Sequence, residues 1–122
     1  MMTVPYRIIP SKIHGLGIFA ASFIPKGTKV WEYIEPTDYR VSVDIPRDEF
    51  SLKYGYIPPK QNYVEFCGDG AIFCNHSSAA NLLVDPLDKS TMYAKRDIFE
   101  GEEITANYYD FDEDPKTGGE LK

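Results

Sequence analysis

Phe19-Ala20-Ala21-Ser22-Phe23-Ile24-Pro25-Lys26-Gly27-Thr28-Lys29-Val30 lies over Tyr93-Ala94-Lys95-Arg96-Asp97-Ile98-Phe99-Glu100-Gly101-Glu102-Glu103-Ile104 at an offset of 74 residues. Aromatic, Ala, Ile, Gly and the closing aliphatic coincide. Each copy reads as a strand, a turn whose Gly accommodates a positive φ, and a second strand. Two such units in one short chain predict two related β-hairpin-like elements about a pseudo-twofold axis. The alternative is chance similarity between two ordinary turns, and a β-rich fold follows from either.

Outward from these copies, nine Pro and nine Gly cut the chain into short pieces. Residues 6–9, 17–20, 29–34, 39–43, 63–66, 82–84, 92–94 and 104–107 read as short strands rich in aromatic and branched side chains. One helix is expected at 46–54, with Pro46 in its first turn and Phe50 and Tyr54 on one face. The stretch 113–122 is polar and contains Pro115 and Gly118-Gly119, so a domain at 1–112 with a frayed acidic and polar tail is expected.

The chain has 122 residues, enough for one domain with a real core. Thirteen Lys and Arg against nineteen Asp and Glu leave a formal charge of −6. That balance argues against a general nucleic-acid binder, which needs a basic face for phosphates. It suits a partner carrying positive charge. No uncharged run approaches the length of a membrane crossing. The opening Met1-Met2-Thr3-Val4-Pro5-Tyr6-Arg7 lacks the basic and apolar regions of a signal peptide. Cys67 and Cys74 are too few for a disulfide scaffold or a Cys-rich zinc site. A reduced, metal-free cytoplasmic or intracellular domain is the expectation.

Three segments could carry chemistry. Gly15-Leu16-Gly17 lets the backbone approach a ligand closely, or simply makes a tight turn between strands. It is no dinucleotide fingerprint, because the third Gly and the following helix are missing. Phe73-Cys74-Asn75-His76-Ser77-Ser78, followed by Asn81, groups polar side chains that can satisfy one another inside an apolar region. A hydrogen-bonded structural role for His76 outweighs a catalytic or metal-binding one, since no Asp or Glu spacing completes a triad. A Cys74 nucleophile paired with His76 lacks a third, orienting group. Last, Glu100 to Tyr109 runs into a segment with eight acids and no base between Asp97 and Asp114. Such a run is a solvated face or a negative lip that draws in a lysine-rich peptide.

In this order and at these separations the three segments resemble the SET domain of protein-lysine methyltransferases. The family pattern is a Gly-x-Gly loop, an Asn-His-Ser segment and a late Gly-Glu-Glu-[Leu/Ile]-Thr…Tyr segment. They stand here as Gly15-Leu16-Gly17, Phe73-Cys74-Asn75-His76-Ser77 and Gly101-Glu102-Glu103-Ile104-Thr105-Ala106-Asn107-Tyr108. The resemblance implies a mainly β, β-clip-like fold of short strands and small sheets, with a knot-like C-terminal segment. It places Gly15, Leu16, Gly17, Asn75 and His76 on S-adenosylmethionine, and Tyr108 as the catalytic tyrosine between methyl donor and lysine channel. No metal is implied. Ala79-Ala80 replaces the family's Asp/Glu-Pro before Asn81, and Ile72 replaces a frequent Arg; both departures could loosen the loop. A C-terminal three-cysteine zinc module cannot be built here, so a lid must come from Tyr109, Phe111, the acidic tail or a partner. Ala106 stands where the family often carries an aromatic that limits the number of methyl groups, leaving room unless Tyr54, Tyr56 or Tyr109 fills it.

The implied activity is methyl transfer to the ε-amine of lysine in a basic protein or peptide, a histone or histone-like tail included. No direct nucleic-acid or membrane binding is expected, a homodimer is an option, and nuclear or host-nuclear action stays open. The alternative is a SET-like domain that no longer catalyses and binds a basic peptide or partner protein.

Overall fold

The computed structural model describes residues 1–112; the expected tail at 113–122 lies outside the described residues. The strands are β1 (Tyr6–Pro10), β2 (Leu16–Ala20), β3 (Lys29–Glu32), β4 (Tyr39–Ser42), β5 (Tyr63–Phe66), β6 (Asn75–His76), β7 (Leu82–Val84), β8 (Thr91–Ala94) and β9 (Glu103–Ala106), with one helix, α1 (Glu49–Tyr54). They form three small sheets, in the orders β1-β2-β9-β6, β3-β8-β7 and β4-β5. All eight strands expected from composition are present, several shortened or shifted by a residue or two. The two-residue β6 was not expected.

The two echoing units do meet about a shared axis, but they are not hairpins. β2 and β3 lie in different sheets, as do β8 and β9, and the arms pair across the axis, β2 with β9 and β3 with β8. Ile24 and Ile98, equivalent under the offset, bond to each other through both backbone pairs at 2.8 Å. Gly27 N donates to Ala94 O at 2.8 Å, and its counterpart Gly101 N donates to Ala20 O at 2.8 Å. Ala20 N to Glu102 O (2.9 Å) and Ala94 N to Thr28 O (2.8 Å) complete the exchange. Gly27 and Gly101 sit at φ of 87° and 89°, a region that favours glycine. Around this axis Ile18, Val30, Ile98 and Ile104 are fully buried, and each such side chain contributes about 1.5–3 kcal/mol.

Helix α1 begins later than expected. The Asp48 carboxylate accepts from Ser51 N at 2.8 Å and caps the first turn, leaving Pro46 outside the helix. Arg47 reaches along the helix to Ser51 O (2.6 Å) and Gly55 O (3.1 Å), satisfying carbonyls at its end. Phe50 and Tyr54 do share a face, with rings 5.1 Å apart.

The end of the described chain lies beside two other segments. Strand β6 pairs with β9 in parallel, Asn75 opposite Thr105 and His76 opposite Ala106. Ser77 N then donates to Ala106 O at 3.0 Å, and Ile57 N to Asp112 Oδ1 at 3.3 Å. Residues 105–112 are thus flanked by the Asn-His segment and by the chain after α1.

Candidate active site

The glycine loop is fastened from below. Gly15 sits at φ of 46° in open space, whereas a Cβ on Gly17 would lie 2.4 Å from Glu103 Oε2. Gly17 therefore admits the Glu103 carboxylate, which accepts from Ser11 Oγ at 2.7 and 2.9 Å. Asn75, 2% exposed, directs its amide nitrogen at His14 O (3.0 Å), Leu16 O (3.1 Å) and Glu103 Oε2 (2.9 Å). Its amide ties the loop to β9.

The loop borders a groove of about 190 Å³, where His14, Gly15, Leu16 and Asn75 meet Ile72, Phe73 and the end of α1 at Lys53 and Tyr54. Of the residues the resemblance places on the cofactor, Gly15, Leu16 and Asn75 line it. Gly17 and His76 do not: the first makes room for Glu103, and the second braces the tyrosine. The Tyr108 backbone N–H donates to His76 Nδ1 at 3.1 Å, and their rings lie 5.2 Å apart.

A second, apolar cavity of about 40 Å³ lies deeper, with Trp31, Tyr56, Cys67, Ala106 and Tyr108 in its wall. Tyr54 and Ile72 line both spaces, so the two adjoin there. Tyr54 and Tyr56 thus occupy the surroundings of Ala106, and Tyr109, 60% exposed, does not. The Tyr108 hydroxyl donates to the Cys74 carbonyl, which sets two oxygens side by side. Burial pushes this phenol far above its ordinary value, with nearby Cys74 adding to the shift. Burial likewise pushes the Cys67 thiol up to about 12, the Asp38 carboxylate reinforcing it, so it stays a protonated wall group. The buried indole nitrogen of Trp31 finds no hydrogen-bond partner among the described residues.

The Ala79-Ala80 departure leaves the loop intact. Asn81 donates to Glu103 O at 2.8 Å and accepts from Thr105 N at 2.9 Å, doing the bridging without the proline. Sequence reasoning singled out Asn81 but not the Glu103 clamp. Nothing local in the sequence marks it, since Glu103 and Gly17 meet only because β9 and β2 are neighbours in the sheet. Among the described residues no group of three or more His, Cys, Asp or Glu is placed to hold a metal ion, and no helix is long and apolar enough to cross a membrane.

These features have close parallels. The SET domain family model matches residues 15–109. The H3 lysine-4 specific histone-lysine N-methyltransferase of Schizosaccharomyces pombe is 36% identical over 111 residues, covering 81% of this chain and 12% of that protein. The chain therefore spans about an eighth of that relative's length. Among solved structures, the methyltransferase domain of human histone-lysine N-methyltransferase SETMAR superposes with a TM-score of 0.63 at 22% identity, covering 88% of this chain and 45% of that one. The complex ctPRC2 bound to S-adenosylmethionine gives 0.67 at 21% identity, covering 93% of this chain and 16% of that one. Glycine loop, Asn-His strand and buried tyrosine fall inside the matched span, and the chain belongs to the SET domain family.

Proposed function

We propose that this chain transfers a methyl group from S-adenosylmethionine to the ε-amine of a lysine in a basic protein, a histone tail being the substrate class that its relatives' names suggest. The observation that carries the reading is the pair of adjoining spaces that share Tyr54 and Ile72, with Tyr108 and Cys74, whose hydroxyl and carbonyl are hydrogen-bonded, lining the inner one. The outer groove fits a cofactor held largely by backbone, since Gly15 leaves open space there and Asn75 fixes the His14 and Leu16 carbonyls. When bound, a sulfonium donor supplies the electrophilic methyl.

The chain's own residues align and exclude water. The Tyr108 and Cys74 oxygens can hold methyl C–H groups through weak contacts, and the aromatic wall favours an uncharged amine. Each turnover forms one N–C bond as one S–C bond breaks, the electron pair of the latter stays on sulfur, and one proton leaves the nitrogen. Tyr108 remains a neutral phenol over the working range and does not act as a base. The neutral fraction of lysine, whose ordinary pKa is about 10.4, then governs the rate. Activity should rise from about pH 7 to 9 in a single-turnover profile, and a flat profile would point to a base elsewhere.

The acidic balance of the chain suits a basic partner, and a histone substrate would put the site of action inside a cell, at chromatin. Calorimetric titration with S-adenosylmethionine, followed by methylation of a lysine peptide array, tests the proposal. Transfer to array lysines supports it. Cofactor binding without transfer would identify a binding module for basic peptides, and no cofactor binding would defeat the reading altogether.

A further inference from the structure

Lys53 stands in the last turn of α1, and the way that helix is held decides where its ammonium can go. Asp48 caps the first turn, and Arg47 bonds the Ser51 and Gly55 carbonyls at the far end. A helix of only six residues is thereby kept in one register. The Lys53 side chain is exposed, and its Nζ lies 5.3 Å from the centre of the Tyr54 ring, within the attraction of the ring face. Among the described residues it makes no ion pair, unlike Lys29, Arg40 and Arg96.

The outer groove departs from the charge of the chain around it. Against a net charge of −6, its lining includes no Asp or Glu, and Lys53 is its one Lys or Arg. Ile72 and Phe73 are apolar, and the Asn75 amide is spent on His14 O, Leu16 O and Glu103 Oε2. An anion entering the groove therefore has one lysine to pair with.

S-adenosylmethionine carries one anionic group, the carboxylate of its methionine part, a short chain away from the sulfonium. The sulfonium belongs at the junction of the two spaces, which Tyr54 lines, and the next residue along the helix is Lys53. We propose that Lys53 pairs with this carboxylate and makes the groove prefer cofactors that retain it over decarboxylated ones. The inference rests on the methyltransferase reading above. The apolar, amide and backbone groups of the wall have no fixed charge with which to make that distinction. Lys53 does, and a charge-assisted bond to a carboxylate is among the stronger contacts an open groove can offer.

The test is calorimetric and needs no turnover. It is read at about pH 8, where an ordinary imidazole is neutral and an ordinary lysine charged. The full chain is titrated with S-adenosylhomocysteine, which keeps the carboxylate and lacks the sulfonium charge, and with its decarboxylated analogue. Wild type should bind the first about tenfold more tightly, the lower end of what a hydrogen bond to a charged group is worth. In Lys53→Met the two Kd values should converge to within about twofold, through weaker binding of S-adenosylhomocysteine alone. Lys53→Arg should keep the preference, and Lys53→Gln carries the test if Lys53→Met does not fold. Raising the salt from about 0.01 M to about 1 M should shrink the wild-type preference, since the pair is open to solvent. Equal binding of both ligands by wild type, a preference that survives in Lys53→Met, or an equal loss for both ligands overturns the inference alone. A wild-type chain that binds neither ligand overturns the cofactor reading, and this inference with it.

Discussion

The strand–turn–strand unit of β2 and β3 and that of β8 and β9 are alike at their centres and unlike at their ends. At the centre, Ile24 faces Ile98, and the two glycine turns donate to each other's strands with matching distances. At the ends the match stops. Before β2 stands the glycine loop that lines the groove. Before β8 stands a turn in which the Asp85 carboxylate accepts from Leu87 N (2.9 Å) and Asp88 N (3.0 Å), away from both spaces. Past β9 the chain runs to Tyr108; past β3, the equivalent position is Ile34, 37% exposed. Symmetry carries the fold, and departure from it carries the chemistry. The site draws on one end of each unit, so it forms only once the two have docked.

The largest expected effects break the shared centre. Ile24→Ala and Ile98→Ala should each cost about 2–5 kcal/mol, and nearly the same amount, in thermal or urea denaturation. A marked inequality would mean that the two positions are equivalent in sequence only. Next comes a contrast between ends. Tyr108→Phe should reduce methyl transfer about a hundredfold, as loss of a preorganised active-site group does. The same variant should lose only about 1 kcal/mol of stability. At the matching position Ile34→Ala should leave turnover near wild type, and a loss there as large as that of Tyr108→Phe would erase the contrast. Asn75→Ala removes the tie between loop and β9, costing about 1–3 kcal/mol for the groups left unpaired. Melting temperature and affinity for S-adenosylmethionine should fall together; affinity that stays put would reduce Asn75 to a structural part. The smallest effect returns to the axis. Gly27→Ala and Gly101→Ala meet no neighbour within 4 Å and pay only for the left-handed backbone, about 1–2 kcal/mol each and equally.

The two strand–turn–strand units were legible because both copies repeat the same aromatic, Ala, Ile and Gly positions, and the physics of a turn glycine is local. That their arms pair with the other unit's rather than with each other was not. Helix α1 was legible in its Phe50 and Tyr54 face, yet its start was not. Pro46 and Asp48 both signal a helix beginning, and the choice between them is made by the hydrogen bond to Ser51 N. Strand β6 was illegible, since two residues show no alternation and its partner lies about thirty positions later. The family pattern brought Asn75 and Tyr108 forward, but it could not tell that Asn75 spends its amide on carbonyls of the loop. Glu65 was missed for a similar reason. In Tyr63-Val64-Glu65-Phe66 it reads as the wet side of a strand, and only Arg40 and Tyr56, distant in sequence, make burial tolerable.

Trp31 is the chain's single tryptophan, and its 3% exposed indole shares a wall with Tyr108. Its emission therefore comes from one place, shielded from water, at the inner end of the site. A guest entering the cavity changes what that ring touches, and unfolding carries it into solvent with a shift to the red. Occupancy and integrity of the site can both be followed by fluorescence alone, without a label and without turnover.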